Sequence, residues 1–191
     1  MSTPPLILGL DTSGPYCAAA IARGDTIMAS VAEEMPRGQA ERLMTLLEEL
    51  LSAQGVGWAD LDALAVGTGP GNFTGIRIGV SATRGLALGL GLPAYGVDGF
   101  AARGRIAPTG SAVAIPAPRD AVYITDADGP RLVARADVPS PAPEPTPSAL
   151  AEAITRHAAA VWPAPTNAPA PVYVRAPDAA PARDGAPVLL P

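Results

Sequence analysis

The sequence predicts an α/β fold built in two unequal parts. Three observations carry this. Short apolar runs alternate with amphipathic stretches over the first hundred residues. A glycine-rich segment, Gly67 to Gly79, joins one apolar run to one amphipathic stretch. Past residue 103 the composition changes, and more than half of the 23 prolines fall after Val138.

Leu6-Ile7-Leu8-Gly9-Leu10 is an apolar strand that ends at Asp11-Thr12-Ser13-Gly14. Tyr16 to Ala22 is a second, alanine-rich strand, Gly24-Asp25 a turn, and Thr26 to Glu34 a third strand with alternating polarity. Together they make an antiparallel meander. Pro36-Arg37-Gly38 breaks the chain, and Gln39 to Gln54 reads as a helix closed by Gly55. Its Leu43, Leu46, Leu47, Leu50 and Leu51 form a broad stripe at helical spacing, widened by Met44. That stripe fits a core-facing helix, and its width also fits a helix that serves the core and a second protein. Ala63-Leu64-Ala65-Val66 is a buried strand. Thr74 to Leu90 is the second helix, and Pro93 to Val97 the fifth strand. The order β-β-β-α-β-α-β over residues 1–103 is that of half an actin-like fold.

Residues 104–191 read as a reduced second subdomain. Ser111 to Pro116, Ala121 to Thr125 and a weak stretch from Arg131 to Arg135 are strands, with a turn at Asp126-Ala127-Asp128-Gly129. Pro139 to Pro147 alternates proline with small residues, as an extended linker does. Ser148 to Ala160 is a short helix with Ser148 as N-cap. The remainder is proline-rich, with a strand-like Val172-Tyr173-Val174.

Composition narrows the chemistry. Of 191 residues, 48% are hydrophobic but only 4% aromatic, so Ala, Leu, Val and Ile must build the core. A net charge of −5 argues against autonomous binding of a nucleic-acid backbone. The one cysteine, Cys17, and one histidine, His157, provide neither a disulfide nor a His/Cys zinc site. The start lacks a signal-peptide pattern and no run approaches the roughly 20 apolar residues of a membrane span, so a cytoplasmic protein is expected.

The glycine-rich loop is the most distinctive feature. Gly69 and Gly71 permit positive φ and close approach, Pro70 stiffens the turn, and the amides at the helix start can meet an anion or a partner's carbonyls. A P-loop is excluded, because the sequence contains no lysine. The dinucleotide fingerprint fails too, with Asn72 or Thr74 where its third glycine belongs. The helix that follows carries Gly75, Gly79, Ala82, Gly85 and Gly89, small residues that admit a close neighbour. Arg77 has two readings: a salt bridge that fixes the loop to its own domain, or a fork for a partner or nucleotide. Asp11, Thr12 and Ser13 could offer hydroxyls and amides to phosphate, or simply stabilise a turn.

Four stretches resemble the TsaB (YeaZ-like) family, the dimerisation subunit of the bacterial machinery for threonylcarbamoyladenosine in tRNA. They are Leu8 to Ser13, Pro36 to Leu43, Gly69 to Gly79, and Val172-Tyr173-Val174-Arg175. The first half matches almost throughout and the second in patches. The resemblance implies an actin-like (ASKHA, ribonuclease H-like) fold with its second subdomain reduced. It implies a non-catalytic scaffold without a metal site. The related TsaD carries the metal and transfers the threonylcarbamoyl group to N6 of adenosine 37, in tRNAs reading codons that start with A. TsaB pairs with TsaD through two helices, a TsaE ATPase docks on the pair, and tRNA is reached through the complex. ATP or ADP belongs, on this reading, at the interface of the full complex. A homodimer is expected when no partner is present.

The residues expected at the pairing surface are Arg37, Gln39, Arg42, Leu43, Leu46, Leu47, Leu50, Gly75, Gly79 and Thr83. Those of the candidate nucleotide or partner loop are Asp11, Thr12, Ser13, Gly69, Gly71, Asn72, Thr74 and Arg77. The chain departs from the family at Gln39, where histidine is frequent, and at Asn72, where serine is usual. A further departure is Pro116-Ala117-Pro118-Arg119, where an Asp-Ala-Arg stretch is usual. A degenerate actin-like ATPase or small-molecule kinase is the alternative function. Its second phosphate loop would have to come from Asp126 to Gly129.

Overall fold

A strand buried on both faces belongs at the centre of a sheet, and β1 (Leu6–Asp11) is buried along its whole length. The computed structural model, which describes residues 3–174, sets this strand in a five-stranded sheet. β2 (Tyr16–Arg23) and β3 (Thr26–Glu34) continue it as an antiparallel meander. β4 (Ala63–Gly67) and β5 (Ala94–Val97) add to its other side in parallel. The order is β3-β2-β1-β4-β5. This is the actin-like, ribonuclease H-like arrangement, and the element order expected for residues 1–103 is the one observed.

The pleat divides β1 between two layers. Leu6, Leu8 and Leu10 face α1 (Gln39–Ala53) and α2 (Phe73–Leu90), which cover the same side of the sheet. Ile7 faces the opposite layer, where α4 (Pro147–Val161) packs Leu150, Ala153, Ile154 and Ala158 against the sheet. On that side the alanines of β2 leave room for the helix, and Ala18 and Ala20 meet Ala151 directly. Gly9 is needed for the same reason, since a β-carbon there would collide with Thr155.

Each helix end has a physical cause. After α1, Gly55 adopts φ +67°, its amide binds Ser52 O, and the Val56 amide binds Leu51 O. This is a Schellman closure. Asn72 caps α2 by accepting the Gly75 amide at 2.9 Å, and Gly91 ends that helix at φ +67°. The start of α4 lies earlier than expected. Thr146, not Ser148, is the N-cap and accepts the Ala149 amide, because Pro147 suits the first helical position.

The second part is small. β6 (Ile115–Ala117), β7 (Ala121–Asp126) and β8 (Gly129–Ala134) form an antiparallel sheet over a cluster of Ala114, Val122 and Val138. The strand expected over 111–116 shortens to β6, while Ala112 makes only a lone bridge to Pro141. Asp126 to Gly129 is the exposed hairpin turn between β7 and β8, with the Asp126 carboxylate bound to the Asp128 amide and Arg131, so it offers no phosphate loop. Short helical turns at Trp58–Asp60 and Arg135–Asp137, and α3 (Gly99–Gly104), were not anticipated from the sequence.

A boundary between residues 103 and 104 does not separate two packing units. The chain returns to the first sheet, since α4 covers its back. Beyond α4, Val172 gives its amide hydrogen to Thr68 O and Thr166 binds Ala94 O. Val172 to Val174 is not a strand, and Arg175 lies outside the described residues. Among the described residues, no helix is long and apolar enough to cross a membrane.

The glycines of α2 divide into two groups. A β-carbon at Gly75 would strike Thr12 O, and one at Gly79 would stand 2.6 Å from Thr12 Oγ1. At Gly85 and Gly89 it would meet nothing within 4 Å. Gly79→Leu is therefore expected to destabilise the chain by about 1–3 kcal/mol, as overpacking does. Gly85→Ala is expected to stabilise it by about 0.5–1 kcal/mol. Thermal unfolding followed by circular dichroism checks both, and equal shifts for the two would contradict this division.

Candidate functional site

The end of β1 and the start of α2 are built as one unit. Asp11 is fully buried and accepts the Ser13 hydroxyl at 2.9 Å and the Tyr16 phenol at 2.6 Å. Burial pushes its carboxyl above the ordinary range, while the two hydroxyls and nearby Arg103 oppose that rise. The Tyr16 phenol is pushed up as well, first by burial and then by the neighbouring Asp11 carboxylate. Thr12 donates to Gly75 O at 2.7 Å. The hydroxyls of Thr12 and Ser13 are thus bound within the chain, and the turn acts here as a staple between sheet and helix.

The central loop closes over this staple. Gly69 has φ +90°, the Asn72 amide binds Ser13 O at 2.7 Å, and a β-carbon at Gly71 would collide with Ser13 O. Gly67 is equally constrained, because a side chain there would displace the Asp11 carboxylate. Both Gly75 and Gly79 face inward against Thr12, so their close approach serves the chain's own strand. Expecting them at a partner's helix misjudged their direction, which a one-dimensional pattern of small residues does not contain.

For the leucines the core-facing reading holds, and only their place at the pairing surface is corrected. Leu43, Leu46, Leu47 and Leu50 are buried between α1 and the sheet, and Thr83 of α2 is buried too. They are core residues, and α1 has no further apolar face beyond them. Ala40, Glu41, Met44, Thr45, Glu48 and Glu49 look outward instead. Arg42 is held between Glu33 and Glu49, with contacts of 2.6 and 2.5 Å. On α2 the outward stripe is Arg77, Ser81, Arg84, Gly85 and Leu88, and Leu88 is 87% exposed. Neither stripe stands out in the sequence, because each alternates charged, small and apolar residues.

The starts of the two helices meet at a groove of about 380 Å³. It gathers several expected residues: Arg37 from the turn before α1, Gln39 from the start of α1, and Asn72 and Thr74 from the loop and α2. Gly38 opens α1 without a side-chain cap, leaving its first amides free of side-chain partners. The Gln39 side chain turns inward toward Gly14 O and Met35 O. Cys17 lies just beneath, its thiol close to Gln39 O and pushed up to about 11, chiefly by burial, which makes it unreactive.

Arg77 has a role that neither earlier reading named. Its guanidinium lies 3.8 Å above the Phe73 ring, and its Nε donates to the Tyr173 hydroxyl at 2.8 Å. Phe73 and Tyr173 stack with centroids 5.0 Å apart. Arg77 therefore fastens residues near 173 to α2 through a cation–π contact and a phenol. No carboxylate pairs with it among the described residues. Tyr173 is ninety-six positions away, and nothing local in the sequence joins the two.

Comparison with known proteins sets this geometry in a family. Residues 30–138 match the family model of TsaD, tRNA N6-adenosine threonylcarbamoyltransferase. The TsaB protein of Escherichia coli (strain K12), named for tRNA threonylcarbamoyladenosine biosynthesis, is 41% identical over 92 residues, 48% of this chain and 39% of that protein. This aligned stretch is thus less than half of the curated relative. An uncharacterised protein of Mycobacterium bovis is 33% identical across 92% of this chain and 94% of its own length. A crystal structure from Pseudomonas aeruginosa, described as an uncharacterised protein similar to the peptidase YeaZ, superposes with a TM-score of 0.60. It is 32% identical over 72% of this chain and 70% of that one. With the TsaD family model covering more than half of the residues, the chain belongs to that family, and its likeness to the TsaB and YeaZ relatives makes it a TsaB (YeaZ-like) protein within it.

Proposed function

We propose that the chain is a non-catalytic pairing subunit of the tRNA threonylcarbamoyladenosine machinery in the cytoplasm. Its partner is a TsaD-type subunit, which transfers the threonylcarbamoyl group to N6 of adenosine 37 in tRNAs reading codons that start with A. A TsaE-type ATPase joins the pair, and tRNA is reached through the assembled complex. ATP or ADP binds where assembly closes the groove between the two helix starts, beside Arg37 and the uncapped amides of α1.

One observation carries this reading. α1 and α2 lie over the same face of the sheet and spend their inward faces on the core, leaving two adjacent outward stripes. The α1 stripe is acidic, with Glu41, Glu48 and Glu49, and the α2 stripe is basic, with Arg77 and Arg84. Met44 and Leu88 supply exposed apolar contacts, and Gly85 and Gly89 admit a close neighbour. A partner that fits would present basic residues opposite α1 and acidic residues opposite α2. A second copy of the chain can offer the same polarity, which supports a homodimer when the partner is absent.

The test is titration of the chain with its TsaD-type subunit in a calorimeter. Leu88→Asp and Arg84→Glu are each expected to weaken the pair at least about tenfold, as truncation of central interface residues does, with unchanged melting temperature. Unaltered affinity in both would remove these helices from the interface. The isolated chain is expected to show no threonylcarbamoyl transfer and negligible ATP hydrolysis. Sustained turnover by pure protein, lost in Asp11→Ala, would instead support an ATPase.

Arg77→Ala is expected to keep the helix content of the wild type while releasing the segment around Tyr173. Limited proteolysis should then cut between Trp162 and Tyr173 several-fold faster, and tRNA modification by the reconstituted complex should fall. Unchanged proteolysis would mean that Arg77 does not hold that segment.

A further inference from the structure

Among the described residues, one edge of the large sheet is uncovered. β5 is flanked by the segment from Ala164 to Val172, but β3 pairs only with β2 and ends the sheet on the other side. The backbone amides and carbonyls of β3 that point away from β2 have no partner among those residues. Proteins blunt such an edge with short strands, proline, lysine or a bulge. β3 has nine residues, where about five or six are usual, and carries neither proline nor lysine. Its two charged residues, Glu33 and Glu34, both lie at its end. A bulge at Met28 leaves 29–34 as a regular run.

The two faces of that run are fixed by its neighbours. Val31 packs on the α1 side, and Arg42 holds Glu33 there. Ser30 and Ala32 face α4, where Ser30 donates to Glu152 at 2.7 Å and Ala32 packs near Ala151. Strand alternation puts the exposed Glu34 on the α4 side as well. Near the start of β3, Arg156 of α4 donates to Asp25 O at 3.3 Å and lies 3.5 Å from Glu152, with its side chain 35% exposed. The α4 side of the edge thus carries a carboxylate at the end of β3 and a guanidinium near its start.

This polarity selects the strand that fits. A parallel copy in register would set Glu33 and Glu34 beside the same residues of its neighbour. An antiparallel copy, related by a two-fold axis perpendicular to the sheet, instead brings Glu34 of each copy toward Arg156 of the other. Such an axis places residues of the same face opposite one another. With Val31 on the axis, Val31 faces Val31, Ser30 faces Ala32 and Ala29 faces Glu33, so no like charges are opposed. A two-fold pair of this kind closes at two copies. We propose that β3 is a self-association edge through which two copies of the chain join their five-stranded sheets into one continuous sheet. It is separate from the outward stripes of α1 and α2, so this contact and pairing through the stripes do not exclude each other.

The test uses the full chain carrying Leu88→Asp, which removes association through the α2 stripe. Sedimentation equilibrium is expected to show monomer and dimer with a Kd of about 10–100 μM, because an edge contact is smaller than a standard interface. In this background Val31→Cys should form a disulfide dimer under copper phenanthroline about tenfold faster than Thr26→Cys, since only a residue at the axis faces itself at a separation a disulfide spans. Cys17 is buried and takes no part. Glu34→Arg and Arg156→Glu should each raise the Kd about fivefold at an unchanged melting temperature, two ion pairs being reversed per dimer, and the double variant should restore it. The proposal is overturned if the Leu88→Asp chain stays a monomer at about 1 mM, which would place any self-association on the helices instead. It is equally overturned if Val31→Cys cross-links no faster than Thr26→Cys, or if a folded Glu34→Arg protein dimerises as tightly as its parent.

Discussion

Everything in the first part of this molecule depends on how closely α2 sits on the end of β1. Four glycines spaced four residues apart make that contact possible. Gly67 clears the Asp11 carboxylate, Gly71 clears Ser13 O, and Gly75 and Gly79 clear Thr12. The Thr12 hydroxyl and the Asn72 amide then close hydrogen bonds across the gap, to Gly75 O and Ser13 O. Glycine inside a helix costs about 1 kcal/mol relative to alanine. At positions 75 and 79 this cost is offset by packing and by polar groups that would otherwise be buried without partners. Once α2 is seated, its axis and outward stripe are fixed relative to the sheet.

The same contact limits what the β1 turn can do. A turn that grips phosphate must leave its hydroxyls and amides free toward the ligand. Here Ser13 donates to Asp11, Thr12 donates to Gly75 O, and Ser13 O accepts the Asn72 amide. Asp11 itself is enclosed by Ser13 and Tyr16. A fold that elsewhere presents this turn to a ligand has, in this chain, used it to lock a helix in place. Rigidity at this point suits the pairing role proposed above, in which an interface must be held in one geometry before the partner arrives.

Much of this architecture was legible in the sequence, and the parts that were not share a cause. Strand and helix order followed from apolar runs and helical periodicity, because both reflect local backbone geometry. The strand meander and the loop around Gly69 are both local. Direction was the first thing missed. The leucines of α1 read first as core and also as interface, and Gly75 read like Gly85, although one faces Thr12 and the other open space. Distance along the chain was the second. The Arg77–Tyr173 contact and the Arg103–Glu144 pair join residues far apart in sequence. The return of α4 to the back of the first sheet depends on alanines in β2 and on Gly9, which local patterns register only as weak strand formers.

That return bears on how the two faces of the sheet are used. α4 occupies the back, and the segment from Ala164 to Val172 runs beside β5, bonded through Tyr95, Thr166 and Val172. An edge strand with free amides invites pairing with another chain, and this segment covers the β5 edge. Tyr173, at its end, is fastened by Arg77 of α2. The back, one edge and the inner helix faces are therefore all committed within the chain. Among the described residues the outer layer formed by α1 and α2 stays open, with acidic and basic stripes side by side. On the pairing role proposed above, this is the surface that meets the partner, and its paired charges favour a partner of complementary polarity over an indiscriminate apolar contact.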